Sequence, residues 1–491
     1  MRDLKELAGY DIITEEKIPE VNGTGYILSH KKTKARVLVI ANDDENKVFN
    51  IGFRTPPYDD SGIPHILEHS VLCGSRKYPV KDPFVELAKG SLNTFLNAMT
   101  YSDKTVYPVA SCNEKDFENL MDVYLDAVFY PNIYEHTEIM RQEGWHYEME
   151  AVDGELTYNG VVFNEMKGVF SSPEQQMYTK IETTLLADTP YQHVSGGDPA
   201  VIPTLSQERF LDFHRKYYHP SNSFIYLYGD LDMYKELDYI DQEYLSNFDY
   251  RETDSTIAVQ AAYEQMKDES CSYSIAENEN EENNTFLTYN MVVGSSLDKK
   301  QSVAMNILEY AIMDAPGAPL KKALVDAGIG EDVFASFDDG IQQTIFTIAA
   351  RNANVSDKER FVSVIRDTLT DLAGHGAEGK AIDRTSIEAA INNFEFKHKE
   401  ANFGRFPKGL MMGLDAFNTW LYDDASALEM FKLNEVYDEL KENLKTGYFE
   451  DLIWEKLVQN TFGMIFVMEP KKGLDKEIDA AEKQKLADYK A

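Results

Sequence analysis

The chain has 491 residues, 43% hydrophobic and 27% charged, with 48 basic against 84 acidic side chains and a formal charge of −36. That composition is globular and long enough for two domains, it has no apolar run near the roughly 18 residues of a membrane span, and its charge opposes nucleic acid and anionic membrane surfaces as partners. Cys73, Cys112 and Cys271 are too few for a disulfide framework, and the N-terminus lacks both an apolar signal core and an Arg/Ser-rich leader, so a cytoplasmic location is expected.

In chain order, the β-rich runs 35–41 (ARVLVIA) and 47–54 (KVFNIGFR) flank the turn-like NDDEN and predict a hairpin. A short helix follows at 64–72, then a strand at 105–111. The amphipathic helix 114–130 carries Leu120, Tyr124, Ala127 and Val128 on one stripe. Strand 223–228 (SFIYLY) closes this series. The polar, acidic stretch 250–282 marks a boundary near 250. A second series repeats the order: strand 285–294, helices through Leu308 and Leu324, strand 343–350, further helices and strand 462–468. This predicts an α+β protein of two related domains, 1–250 and 251–470, each an antiparallel sheet packed with helices, with the charged 471–491 as a linker helix. HILEHSVLCGSRKYPVKDP and NILEYAIMDAPGAPLKKAL share Ile-Leu-Glu, which sets Asn306 and Tyr310 where His65 and His69 stand. On that reading the second domain has no metal site.

The chemistry concentrates in GIPHILEHSVLCGS. Asp59, Asp60 and Ser61 are available as caps, Pro64 falls in the first turn and Gly74 serves as a stop, which predicts about two turns of helix. Residues three and four apart share a face, so His65, Glu68 and His69 converge. Two imidazoles suit zinc, a catalytic zinc takes three protein ligands, and Glu68 is placed as the general base for a water. For the third ligand, GVVFNEMKGVF offers Glu165, which periodicity places on an apolar face with Val161, Val162 and Val169, where a carboxylate is costly unless paired or metal-bound. Glu143 and Glu148 in RQEGWHYEME are rivals on a more polar segment expected to be a solvated helix, with His146 packing or capping there.

H-x-x-E-H is the inverted zincin motif. HILEHSVLCGS, LNTFLNAMTYSDKTVYPVAS, QEGWHYE, GVVFNEMKG and VSGGDP, in this order, resemble the presequence-protease branch of the pitrilysin and insulinase superfamily, and GAPLKKALVDAGIGEDVFASF extends the likeness into the second domain. The resemblance implies a processing-peptidase-like metallohydrolase fold and hydrolysis of unstructured peptides. It also implies one zinc held by His65, His69 and Glu165, with Glu68 activating water. Peptide would bind by strand addition to an edge at Asn97, Ala98, Met99 and Thr100. Members of this branch are about twice as long, so the resemblance makes this chain the N-terminal half and its partner a C-terminal half that completes the chamber. Some relatives carry a redox-sensitive cysteine where this chain has Val80 in KYPVKDP, so no such switch is expected. The competing reading is a non-catalytic peptide-binding or scaffold subunit of the same fold, against which the intact His65, Glu68, His69 and Glu165 weigh.

Overall fold

The computed structural model describes residues 2–81, 83–377, 379 and 381–491. Two large sheets organise the described residues. The first has eight strands in the order Tyr10–Ile18, Gly23–His30, Arg36–Ala41, Ser223–Gly229, Lys47–Arg54, Lys104–Ser111 and Asn93–Leu96, with Met99–Thr100 also paired to Lys104–Ser111. The second has five: Lys267–Ile275, Gly463–Lys472, Thr285–Ser295, Gln343–Ala353 and Asp332–Asp338. Neighbouring strands are antiparallel except for Arg36–Ala41 with Ser223–Gly229 and Lys267–Ile275 with Gly463–Lys472.

The expected hairpin of 35–41 with 47–54 is not formed. Ser223–Gly229 lies between the two strands, parallel to Arg36–Ala41 and antiparallel to Lys47–Arg54. All seven of its residues are buried, because successive side chains enter different cores. Ile225 and Leu227 join Phe49, Ile51 and Phe53 beneath the helices of the first half. Phe224, Tyr226 and Tyr228 face the opposite way. A strand buried on both faces outcompetes a local turn for the central position.

Each sheet has its second face covered from the other half of the chain. Helix Lys408–Trp420 lays Leu410, Phe417 and Trp420 on the outer face of the first sheet. Helix Pro173–Leu185 places Met177, Ile181 and Leu185 against the second. A division near residue 250 is proposed, since no helix or strand occurs between Leu245–Asn247 and Lys267–Ile275, but these two helices interlock the lobes across it. The charged C-terminal segment forms helix Leu474–Lys490, in which Leu486 is buried. Among the described residues no helix is long and apolar enough to cross a membrane.

The interlock is testable. Phe417 is fully buried between the sheet and its own helix, so Phe417→Ala is expected to cost about 3–5 kcal/mol. Denaturant unfolding followed by tryptophan fluorescence measures it; loss of under about 1 kcal/mol would mean that the helix contributes little to holding the first sheet.

Candidate active site

The histidine helix is Ile63–Val71. Ile63, Ile66, Leu67 and Val71 pack into the first core, which leaves His65 and His69 half-buried on the opposite face with Glu68 at 8% exposure beside them. The acidic residues expected to cap it do something else. The N-cap is Gly62, in the left-handed region at φ 70° with no side-chain cap. Asp59 pairs with Arg209, and Asp60 accepts from the Val194 amide at 2.8 Å. Both acids therefore tie neighbouring elements to the helix start. The loop held this way comes very close: a Cβ on Gly62 would lie 2.7 Å from the Gly196 carbonyl, and one on Gly197, itself at φ 98°, would lie 2.9 Å from Gly62 Cα. The glycines of VSGGDP and GIPH are thereby explained, and the Gly196 carbonyl lands 3.2 Å from His65 Nδ1.

That contact sets the tautomer. A carbonyl can only accept, so His65 Nδ1 donates and its Nε2 carries the lone pair. The same logic holds for His69, whose Nδ1 lies 3.4 Å from the Glu143 carboxylate. The two Nε2 atoms then each stand 3.7 Å from Glu165 Oε2. His65, His69 and Glu165 offer one ligand atom apiece, all within 4.8 Å of one another. A tetrahedral zinc at about 2.0–2.1 Å from each donor would hold them about 3.4 Å apart, and two imidazoles with one carboxylate are a donor set that zinc accepts. Burial opposes a charge on His69, but Glu143, Glu68 and Glu165 together outweigh it and raise its pKa above the ordinary histidine value. Glu143 is held below the usual carboxylate range: burial acts against it, and His69 and Gln142 more than compensate.

Two readings of the carboxylates are corrected. Glu165 does not sit on a buried apolar face: helix Val161–Val169 buries Val162, Phe163 and Met166, whereas Val161 is exposed and the Glu165 side chain is 50% exposed. Its helix turns it toward the histidines, not into the core. The 143–148 segment is not a solvated helix either. Helix Thr137–Glu143 ends with Glu143 at 7% exposure behind His69, whereas Glu148 is exposed on a short strand and accepts from Asn159. His146 Nδ1 donates to the Arg141 carbonyl at 2.7 Å, a local tie.

The edge segment lies alongside. Met99–Thr100 pairs with Lys104–Ser111 on one side, Asn97 donates its amide to the Pro108 carbonyl at 3.3 Å, and Ala98 is buried. On the other side of Asn93–Leu96 and Met99–Thr100 no further strand is paired among the described residues. Thr100 Oγ1 donates to Glu68 Oε2 at 2.6 Å, so the edge and the carboxylate are directly joined.

Residues 48–178 match the model of the insulinase family, peptidase family M16, and residues 204–393 match that of the peptidase M16 inactive domain. The chain is 50% identical over 483 residues to Protein HypA of Clostridium perfringens, covering 98% of this chain and 49% of that protein. It is 40% identical over 498 residues to presequence protease 1, chloroplastic/mitochondrial, of Arabidopsis thaliana, covering all of this chain and 46% of the relative. The chain belongs to the M16 peptidase family. It spans about half the length of the curated relatives it matches. At fold level this M16 chain is similar to a protease from Helicobacter pylori, with a TM-score of 0.69, 16% identity and coverage of 91% of this chain and 100% of that one. Pitrilysin matches with a TM-score of 0.63 and 17% identity over 95% of this chain and 47% of its own.

Sequence reasoning missed Gly196 and the buried side of Glu143, since each acts across more than 70 residues of chain. The glycine pair in VSGGDP was the available signal for the first. Removing charge from Glu143 without changing its shape tests the second. Glu143→Gln is expected to weaken divalent metal binding about 10- to 100-fold while leaving the unfolding transition nearly unchanged, measured by competition with a chromogenic chelator.

Proposed function

We propose that this M16 chain is the zinc-bearing half of a metallopeptidase that hydrolyses unstructured peptides. The observation that carries the reading is the approach of His65 Nε2 and His69 Nε2 to one Glu165 oxygen, with both Nδ1 atoms already engaged by Gly196 and Glu143. Both imidazoles thus turn Nε2 toward the same carboxylate oxygen.

In this reading His65, His69 and Glu165 hold zinc. Zinc bound there lowers the pKa of water from 15.7 to about 7 and polarises a carbonyl. Glu68 is the general base: its carboxylate takes a proton from the attacking water and returns it to the leaving amine. The Thr100 hydroxyl fixes the Glu68 Oε2 atom, so the carboxylate has a set orientation before substrate arrives. Peptide lies extended along Asn97, Ala98, Met99 and Thr100, where backbone pairing to an edge provides affinity with weak sequence demands. A segment already folded into helix or sheet has its backbone groups paired and cannot add there.

A second part of the proposal follows from length. The chain is about half of the relatives it matches, and a site open on one side lacks both the wall that excludes water and further donors for the developing oxyanion. One such donor is typically worth about 10²–10³ in rate. The remaining half is proposed as the partner, in cis or in trans.

Three measurements test this. His65→Ala, His69→Ala and Glu165→Ala are each expected to lose stoichiometric zinc by elemental analysis; full occupancy in Glu165→Ala removes it from the ligand set. Glu68→Gln is expected to retain zinc and fold but lose hydrolysis of an unstructured peptide by about 10²–10⁴; loss of metal instead would make Glu68 a ligand. Turnover by this chain should rise by orders of magnitude when the complementary half is added, whereas equal rates would mean that the 491 residues are sufficient alone.

A further inference from the structure

Helix Val161–Val169, which carries Glu165, has few anchors of its own. It starts at Gly160 with no side-chain cap and buries Val162, Phe163 and Met166. At 9 residues it is too short to hold its shape in water without tertiary support. The Glu165 side chain is 50% exposed, so the direction in which its carboxylate points depends on where the helix backbone is held.

Support comes from a helix remote in sequence. Lys167 Nζ donates to Glu482 Oε1 at 2.9 Å, across 315 positions of chain. Residues two apart on a helix lie about 200° from one another, so this tie holds the side of the helix away from Glu165. In helix Leu474–Lys490 the residues Glu482, Leu486 and Tyr489 are spaced by four and three and share one face. Leu486 is buried, and Tyr489 stacks on Tyr147 with ring centroids 4.9 Å apart and planes 14° apart. Lys490 donates to the Gly154 carbonyl at 2.6 Å. Tyr147 and Gly154 belong to the hairpin formed by His146–Glu148 and Thr157–Asn159, which runs straight into Gly160 and the Glu165 helix. Tyr147 pairs across that hairpin with Tyr158 at a ring distance of 5.5 Å, and Tyr158 meets Phe163 edge-on at 5.8 Å. Four rings therefore connect the remote helix to a core residue of the Glu165 helix, in geometries that aromatic pairs favour. An exposed ion pair alone contributes little, but here it acts beside this ladder and the buried Leu486.

The other end of the same helix is fixed to the second lobe. It follows strand Gly463–Lys472 through Gly473, the Asp475 amide donates to Ser274 Oγ at 3.2 Å, and Lys476 pairs with Glu277 at 3.0 Å. At 1.5 Å per residue the helix spans about 25 Å, which makes it a strut from the second sheet to the Glu165 helix. His65 and His69 need no such strut, because Ile63, Ile66, Leu67 and Val71 seat their helix in the first core. Two of the three donors are thus fixed by the core beneath them, and the third by a helix that reaches over from the other lobe.

We infer that Glu482 and Tyr489 of helix Leu474–Lys490 are positioning residues for the third metal donor, holding helix Val161–Val169 where Glu165 meets His65 and His69. This rests on the zinc reading above. The test measures the zinc affinity of the 491-residue chain by competition with a chromogenic chelator, well below the unfolding transition, alongside thermal unfolding of the same protein after chelation. Glu482→Gln/Tyr489→Leu is expected to weaken zinc binding about tenfold, the lower end of the range for residues that orient metal ligands. Tyr489→Phe keeps the ring, and Asp488→Asn removes one charge from an exposed position of the same helix; both are expected to bind zinc as the parent does. Parent-like zinc affinity in Glu482→Gln/Tyr489→Leu overturns the inference, even where the chelated protein unfolds at a lower temperature, since that result is docking without positioning. Equal weakening in Tyr489→Phe or in Asp488→Asn overturns it as well. If the parent chain holds no stoichiometric zinc, the zinc reading itself fails and this inference falls with it.

Discussion

An imidazole can turn either nitrogen toward a metal or a proton, so the hydrogen bonds from His65 Nδ1 to the Gly196 carbonyl and from His69 Nδ1 to Glu143 govern what the histidine helix can do. Both use up the inner nitrogen and turn Nε2 outward. The cost is a loop brought into backbone contact with the helix start, possible only because Gly62 and Gly197 have no side chains. Asp59 and Asp60 hold that loop and helix Gln207–Tyr217 in register, which gives the acidic pair a structural role in place of capping.

The site stands at the end of the first sheet where the sheet stops. Strand Lys104–Ser111 pairs with Lys47–Arg54 on one side and with only short segments on the other, so backbone groups near Glu68 are left open. A full-length outer strand would have closed this edge. The same strand bears Lys104, which reaches across to the second lobe. The lobes are held together by exchanged helices, and the position of the Gly340 turn relative to the edge therefore depends on both cores.

Carboxylates dominate this surface, in keeping with a net charge of −36. Near the histidines they surround groups able to bind a cation; in the second lobe Asp339 accepts from Asn306 at 3.1 Å.

Local rules made much of this legible. The i, i+3, i+4 spacing of His65, Glu68 and His69 follows from helical geometry alone, and the strands at 47–54, 223–229 and 285–295 announced themselves through β-branched and aromatic runs. Glu165 was chosen for a face that the structure leaves half open. The resemblance points to Glu165 independently of the apolar-face argument, which the exposure of the side chain overturns. Pairing was out of reach: strand 223–229 separates 36–41 from 47–54 because it satisfies two cores at once, a competition that no local window contains. The contacts of Glu143 with His69 and of Gly196 with His65 were equally out of reach, since each joins groups far apart in sequence at a few ångströms. Sequence by itself determined which residues could do chemistry and which helix carries them. Tertiary structure decided which nitrogen each histidine presents, which edge stays open and which carboxylates stand beside the histidines, because those outcomes are set by long-range packing and not by the periodicity of a single element.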